Sequence, residues 1–195
     1  LLLFTEEVEK FIPPRKGRRH VLRVIRDILY HQPARAGTSL NGALEFVGRV
    51  LPHRAVVILL SDFLAETRIS RAGMSEHLRR RVVRSESLGR VSQTLLRQVS
   101  RRHDVVAVQI VDPFELELPA LGRLVLQDAE TGEIVEVNTS DERRRQAFAQ
   151  RGERTQRELE RLFRGAKVDA IRVQTGQPYN LALQQFFDTR EKRRR

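Results

Sequence analysis

The feature that most constrains this chain is a run of six consecutive apolar residues at positions 55–60. The run is too short to cross a membrane, and it lacks the alternation of a strand with one wet face. It predicts a strand buried on both faces in the middle of a parallel sheet. Ligands of open α/β sheets bind beyond the carboxyl ends of the strands, so Asp62, after Ser61, is the first candidate functional residue. A cap or loop carboxylate is the alternative, and spacing alone leaves it open.

Two further apolar runs predict strands, and they alternate with helices. Residues 104–111 form a second buried strand, which Asp112-Pro113 follows, and residues 168–173 form the last strand. Apolar spacing predicts helices from His20 to before Pro33, over 40–51, over 88–99, from Thr139 to about Arg164 and over 178–190. This alternation predicts an α/β fold with a doubly wound, mostly parallel sheet.

Two hairpins are predicted besides the parallel strands. The first comprises residues 1–5 and 8–12, and Pro13-Pro14 marks it as a sheet edge. The second is inserted near residues 121–138, around a turn at residues 128–132.

The longest predicted helix carries signals at both ends. Thr139 with Glu142 fits a capping box at its start, and Gly165 is its expected stop. The helix is very basic and has few apolar positions, so we expect it on the surface.

We expect one partial domain over residues 1–195. Residues 67–87 are rich in arginine and poor in apolar anchors, which predicts a basic mobile insertion after Asp62. It either lies over the surroundings of Asp62 or is only a flexible loop, and the loop is favoured. Residues 191–195 are expected to be a disordered tail.

Composition excludes several classes of function. The chain has 195 residues and no cysteine, which rules out disulfides, zinc–thiolate sites and thiol nucleophiles. Its longest apolar runs fall far short of the roughly 20 residues that cross a bilayer, so no membrane segment is expected. The net charge of +11 raises nucleic acid or an anionic membrane as a partner. The charge is dispersed without interleaved aromatic residues, which favours a solvated surface over nucleic-acid binding.

No catalytic motif emerges from the residue patterns. Neither a phosphate-binding Gly-x-x-x-x-Gly-Lys loop nor a Gly-x-Gly-x-x-Gly turn occurs, and the five histidines lack metal-ligand spacing. His103 and Asp104 point to opposite faces of a strand, so they form no dyad. Glu115 and Glu117 lie in a predicted loop between prolines, where an acid–base pair is not favoured. The chain is therefore expected not to be an enzyme.

One constellation of oxygen-bearing side chains remains. Thr38 stands at a loop-to-helix start, and Ser61-Asp62 stands beyond a buried strand. Hydroxyl and carboxylate oxygens are the ligands that hard divalent cations take. Capping of the following helix by Thr38 or Ser39 is the alternative explanation of these hydroxyls.

Short segments spread over nearly the whole chain carry a family resemblance. In order they are Leu-Leu-Phe-Thr, Pro-Pro-Arg-Lys-Gly, Gly-Thr-Ser-Leu, Val-Val-Ile-Leu-Leu-Ser-Asp-Phe, Arg-His-Asp-Val-Val-Ala-Val, Asp-Pro-Phe-Glu-Leu-Glu-Leu-Pro and Asp-Ala-Glu-Thr-Gly-Glu. The chain resembles the von Willebrand factor A-like proteins of the domain-of-unknown-function family fifty-eight. These bacterial proteins, with a Rossmann-type fold, are usually encoded beside a MoxR-type AAA+ ATPase.

The resemblance implies an incomplete metal-ion-dependent adhesion site. Such sites combine an Asp-x-Ser-x-Ser loop with a threonine and an aspartate, which Thr38 and Asp62 match by position. The Asp-x-Ser-x-Ser loop is absent from this sequence, so Mg²⁺ or Mn²⁺ is expected in the intact protein and not tightly in this chain alone. The family's first strand and first helix would lie upstream of Leu1, and that strand sits at the centre of the sheet. We therefore expect the C-terminal part of a longer protein, which in isolation is poorly stable or self-associates.

The resemblance also implies a function. We expect a non-enzymatic protein–protein interaction module that works with a MoxR-type AAA+ ATPase and a client protein in complex maturation or remodelling. Nucleic-acid binding through the basic surface is the alternative, and steep salt dependence would favour it. The expected location is the cytoplasm, with the full-length protein membrane-anchored in some relatives.

Overall fold

A computed structural model describes residues 1–35, 37–64, 91–127 and 134–194. The chain forms two compact units, one comprising residues 1–52 and 65–95 and the other residues 53–64 and 96–195. We call them unit 1 and unit 2. The predicted insertion at residues 67–87 lies outside the described residues.

The described helices and strands follow most of the predicted elements. The strands are β1 (Leu2–Phe4), β2 (Val8–Phe11), β3 (Val56–Ser61), β4 (Asp104–Val111), β5 (Arg123–Gln127), β6 (Ile134–Asn138) and β7 (Asp169–Gln174). The helices are α1 (Arg18–Tyr30), α2 (Leu40–Val50), α3 (Gln93–Arg102), α4 (Pro113–Leu116), α5 (Glu142–Ala166) and α6 (Tyr179–Arg194).

Unit 1 is built on the predicted N-terminal hairpin. Strands β1 and β2 pair antiparallel. The Phe11 ring packs edge-on against Phe46 of α2, with ring centroids 5.3 Å apart. Leu40 and Leu44 of α2 are buried. The hairpin and α2 therefore form the core of this unit.

Helix α1 has the predicted apolar stripe, but that stripe faces outward. Its large apolar side chains are about half exposed or more, namely Val21, Leu22, Ile25, Ile28 and Leu29. The buried residue of α1 is instead Asp27, whose carboxylate pairs with Lys10 of β2 at 3.4 Å and with Arg26 at 3.1 Å. An ion cluster, and not the apolar stripe, thus joins α1 to the hairpin.

Unit 2 contains a parallel sheet of three strands in the order β3-β4-β7. Central strand β4 is buried on both faces, as the sequence predicts. On one face α6 packs over a cluster around Val106, Val108 and Ile171. On the other, the side-chain amides of Gln109 and Gln156 of α5 exchange hydrogen bonds of 3.0 and 3.1 Å. The mixed α/β class with a parallel sheet between helices is therefore confirmed for this unit.

The prediction for the apolar run at residues 55–60 is partly wrong. Strand β3 is parallel to β4, but it is an edge strand among the described residues and not a central one. Val56, Ile58 and Leu60 are 64, 52 and 58 % exposed, whereas Leu59 on the opposite face is buried. Helix α6 covers the neighbouring positions of β4 and β7 on that face and leaves β3 open, so only one face of β3 is buried.

The second hairpin, β5 with β6, forms antiparallel as predicted. Thr139 after it does not cap the long helix. Its hydroxyl accepts a hydrogen bond from the Leu121 N–H at 3.0 Å and donates one to the Gly122 carbonyl at 2.8 Å. Thr139 is fully buried and closes the base of the hairpin, which removes it from helix capping.

Helix α5 has different end signals from those predicted. Asp141 is the N-cap, and its carboxylate accepts from the backbone N–H groups of Arg143 and Arg144. The helix passes Gly165 and ends at Ala166, and its C-cap Lys167 adopts the left-handed conformation with φ 58°. The sequence misleads at both ends, since hydroxyl and carboxylate caps look alike and a non-glycine residue adopts the left-handed turn.

Two side chains of α3 bind the C-terminal end of α5. Arg97 donates to the Gly165 carbonyl at 2.6 Å, and the Ser100 hydroxyl donates to the Ala166 carbonyl at 2.9 Å. Carbonyls of a last helical turn lack partners within their own helix, so these bonds fix α5 where it meets α3.

Helix α6 is anchored at its C-terminal half. Arg190 pairs with Asp104 of β4 and, at 2.8 Å, with Asp169 of β7, and it lies over the Phe186 ring. The helix extends to Arg194 and so overlaps the tail predicted at residues 191–195.

Candidate cation-binding edge of the parallel sheet

Oxygen-bearing side chains gather where the parallel strands of unit 2 end. Ser61-Asp62 ends β3, Asp112 follows β4, and Thr175 follows β7. Carboxyl ends of parallel strands lie at one edge of a sheet, and the register sets Thr175 opposite Asp112, whereas Asp62 is level with Ile110, two positions short of Asp112. We call Asp62, Asp112 and Thr175 the acidic edge.

Asp62 is exposed and held in a tight turn. One carboxylate oxygen accepts the Leu64 N–H at 3.0 Å, and the Ser61 hydroxyl accepts the Phe63 N–H at 3.0 Å. One oxygen of Asp62 therefore has the role of a loop carboxylate, as the alternative interpretation says. The other oxygen accepts no hydrogen bond from a described residue.

Phe63 fixes the path of the chain beside Asp62. It has φ 56°, a left-handed conformation that non-glycine residues adopt at a cost of order 1–3 kcal/mol. Its buried ring meets Phe163 of α5 edge-on at 5.0 Å. Packing of this ring holds the backbone in a strained turn that presents Asp62 outward.

Both carboxylate oxygens of Asp112 accept hydrogen bonds, in contrast to those of Asp62. One of its carboxylate oxygens accepts the Phe114 N–H at 2.9 Å, and the other accepts the Thr175 hydroxyl at 3.2 Å. Glu115 completes a capping box by accepting the Asp112 N–H. The predicted loop after Asp112 therefore contains a helical turn, and Glu115 serves as a cap residue.

Glu115 senses the negative charge of this edge. Partial desolvation raises its pKa, and the charges of Asp62 and Asp112 raise it further, against the hydrogen bond from the Asp112 N–H. The side chain remains exposed overall, so solvent screens these interactions.

Thr38 belongs to unit 1, whereas Asp62 belongs to unit 2, and each is described within its own unit. Ser39 is the N-cap of α2 and accepts the Gly42 N–H at 3.2 Å, so the capping explanation applies to Ser39 and not to Thr38. Thr38 itself is exposed at the end of the preceding loop.

Glu9 of β2 shapes the loop that leads to Thr38. Its carboxylate accepts from the Thr5 hydroxyl at 2.8 Å, from His31 at 2.7 Å and from the Ala34 N–H at 3.0 Å. The Thr5 hydrogen bond is the main cause that lowers the pKa of Glu9, and the bonds from His31 and the loop act in the same direction against desolvation. The Glu9 carboxylate of the hairpin thus fixes the conformation of this loop. Sequence patterns did not predict this role of Glu9.

Among the described residues, no group of three or more His, Asp or Glu side chains is arranged to hold a metal ion. His103 and Asp104 are apart as predicted, since Asp104 pairs with Arg190 while both ring nitrogens of buried His103 lack a hydrogen-bond partner. Sequence reasoning missed Thr175, because only the register of β4 and β7 brings it to Asp112.

The chain belongs to a family that is defined by sequence. Residues 1–158 match the family described as "Protein of unknown function DUF58". This confirms the domain-of-unknown-function part of the resemblance.

Curated relatives occur in mycobacteria. An uncharacterized protein of Mycobacterium bovis and one of Mycobacterium tuberculosis are each 27% identical to the chain over 183 residues, which is 93% of this chain and 50% of theirs. The chain thus spans about half the length of these relatives. An uncharacterized protein of Mycobacterium avium is 26% identical, over 93% of this chain and 94% of its own length. No solved structure matches the chain. Within the residues that the structure describes, no helix is long and apolar enough to span a bilayer.

Proposed function

We propose that the chain is a non-enzymatic protein–protein interaction module with an incomplete metal-ion-dependent adhesion site. Asp62 supplies a ligand to a Mg²⁺ or Mn²⁺ ion in the intact protein, Thr38 is the second ligand that the family resemblance implies, and a carboxylate of the partner completes the coordination. The observation that carries this proposal is the exposed carboxylate of Asp62, which is held in a fixed turn at the carboxyl end of a parallel strand.

Two features of the acidic edge support the assignment of Asp62. Its second carboxylate oxygen accepts no hydrogen bond from a described residue, whereas both oxygens of Asp112 are engaged. Partial desolvation is the main cause that raises the pKa of Glu115, and the charges of Asp62 and Asp112, which a cation would neutralise, raise it further. Magnesium usually takes only one or two protein carboxylates and keeps several waters, so a sparse ligand set suits it.

The finer parts of the proposal depend on the family resemblance. They are the von Willebrand factor A-like fold, a MoxR-type AAA+ ATPase with its client as partners, complex maturation or remodelling as the process, and a cytoplasmic location. The exposed apolar side chains of β3 and α1 are consistent with surfaces that bind protein.

Nucleic-acid binding is the second candidate, and the charge of α5 is the observation that favours it. The helix carries eight arginines and four glutamates. Two of these arginines already form ion pairs one helical turn away, Arg154 with Glu158 and Arg157 with Glu153. These pairs reduce the positive charge that is free to contact phosphates, so protein binding is preferred.

Calorimetric titration with MgCl₂ and MnCl₂ tests the proposal. The titrated proteins are this chain, a version extended upstream from its coding sequence, and Asp62→Ala in both. We expect binding in the extended version, and loss of that binding on Asp62→Ala. Glu117→Ala is a matched control, because it removes a nearby carboxylate outside the acidic edge.

Absence of cation binding in every version would refute the adhesion site. Binding that survives Asp62→Ala would assign the cation to other residues. In either case a fluorescence titration with duplex and single-stranded oligonucleotides, repeated at increasing salt, examines the second candidate, for which a steep fall of affinity is expected.

A further inference from the structure

The outer edge of β7 carries hydrogen-bonding groups that no described strand covers. β7 is the terminal strand of the order β3-β4-β7 among the described residues. The Thr175 N–H donates to the Val111 carbonyl of β4 at 2.9 Å. Successive residues of a strand direct their amides to opposite sides, so the N–H groups of Ala170 and Arg172 point away from β4. This edge is therefore competent to pair with an added strand.

A groove of about 540 Å³ runs along this edge. Its floor is the strand segment from Asp169 to Arg172, which corresponds to roughly 13 Å of extended chain. Helix α5 provides one wall through Phe163 and Arg164, and helix α6 provides the other through Phe186. A floor of free strand edge between two helices suits an extended peptide better than a compact ligand.

The groove has a preference in charge. Arg190 on the α6 wall pairs with two aspartates, Asp104 and Asp169, of which Asp169 also lines the groove. Arg164 and Arg172 also line the groove, and neither forms an ion pair with a described residue. Glu160 and Asp169 are the acidic residues of the lining, so its three arginines exceed its carboxylates by one. Ala170 of β7 is small and exposed, which leaves room for a side chain of the peptide.

We propose that the β7 groove binds an extended segment of a partner protein as an additional strand, with acidic side chains at alternate positions facing Arg164 and Arg172. Backbone hydrogen bonds to β7 supply affinity, and the two arginines supply the preference for acidic sequences. The surface lies in unit 2 apart from the acidic edge and needs no cation, so it is a second binding site beyond the proposed function.

Fluorescence anisotropy with labelled peptides tests this proposal on the full 195-residue chain. The probe is Ac-Thr-Val-Glu-Val-Glu-Val-Thr-NH₂, and its control has lysine in place of both glutamates. Measurements are made in EDTA, which separates this site from the cation site. We expect the acidic peptide to bind at least tenfold more tightly than the lysine peptide.

Backbone methylation of the peptide tests strand pairing without altering the protein. One version carries N-methyl groups on the amides of one edge, and the other carries them on the opposite edge. Each lost hydrogen bond weakens binding several-fold, so we expect one version to lose about tenfold or more and the other to retain affinity. Equal affinities of both versions would show that no ladder forms and would overturn the proposal.

Charge reversal locates the site. Arg164→Glu/Arg172→Glu should abolish the preference for the acidic peptide, whereas Arg151→Glu/Arg161→Glu, on α5 outside the groove, should leave it unchanged. Equal effects of the two double variants, or no binding of the acidic peptide at 1 mM, would overturn the proposal. The alternative occupant of the β7 edge is a second copy of this chain, and sedimentation with and without the peptide tests it. A dimer that the peptide dissociates would assign the edge to that second copy and overturn the proposal.

Discussion

Substitution of His103 should change how the stability of the chain depends on pH. His103 is only 2 % exposed, and neither of its ring nitrogens has a hydrogen-bond partner among the described residues. Burial lowers the pKa of His103, and the nearby positive charge of Arg102 lowers it further. The folded chain therefore holds this imidazole neutral at a pH where the unfolded chain protonates it.

The sign follows from proton linkage. Because the pKa is lower in the folded state, the unfolded state binds more protons as the pH falls below about 6.5, and stability is lost in that direction. The loss is about 1.4 kcal/mol per pH unit while the folded form stays neutral. At pH 5 the upper bound is therefore about 2 kcal/mol. Above about pH 7.5 this contribution to the pH dependence vanishes.

Urea unfolding of the wild type and of His103→Leu, followed by circular dichroism from pH 5 to pH 8, measures this effect. Leucine removes both unpartnered nitrogens, so the variant should equal or exceed the wild type in stability at pH 8. Its advantage should grow by up to about 2 kcal/mol at pH 5. His53→Gln, at an exposed histidine, should keep the wild-type pH dependence. Parallel curves for wild type and His103→Leu would refute the assignment of His103 as a buried neutral group.

Two further predictions follow from local structure. Asp141→Ala should destabilise the chain by about 1 kcal/mol through loss of the α5 cap, and Ser140→Ala should not, as urea unfolding at pH 7 would measure. The isolated chain should self-associate through the open face of β3, so Ile58→Thr/Leu60→Thr should lower its sedimentation coefficient. The control Val125→Thr, at an exposed site on β5, should leave the sedimentation coefficient unchanged. A clean wild-type monomer with a cooperative unfolding transition would contradict the latter prediction.

Strand positions were more predictable than strand environments. The boundaries of β4 follow directly from its apolar sequence, because a strand covered on both faces tolerates few polar residues. The equally apolar β3 has one open face. An apolar run specifies a tendency to be buried, but the covering element must come from elsewhere in the protein. Local sequence does not say whether that element is present.

Contacts between distant residues were the least predictable part of the candidate site. Thr175 and Asp112 are 63 positions apart and meet through the pairing of β4 with β7. The local sequence around Thr139 fits a helix cap, but in the structure its hydroxyl bonds instead to the backbone of residues 121 and 122. Asp62 could be proposed from sequence because the end of an apolar strand is a local signal, and ligands of parallel sheets bind at that edge.

The amide pair between Gln109 and Gln156 has a consequence for the position of α5. Each amide both donates and accepts, and Gln109 is buried on β4. Sliding the helix by one turn, about 5.4 Å, would carry Gln156 away and leave buried polar atoms without partners, at about 1–3 kcal/mol for each. Apolar contacts alone tolerate such translation, since one leucine or alanine substitutes for another. The pair therefore acts as an axial stop that selects a single placement of a 25-residue helix on the sheet.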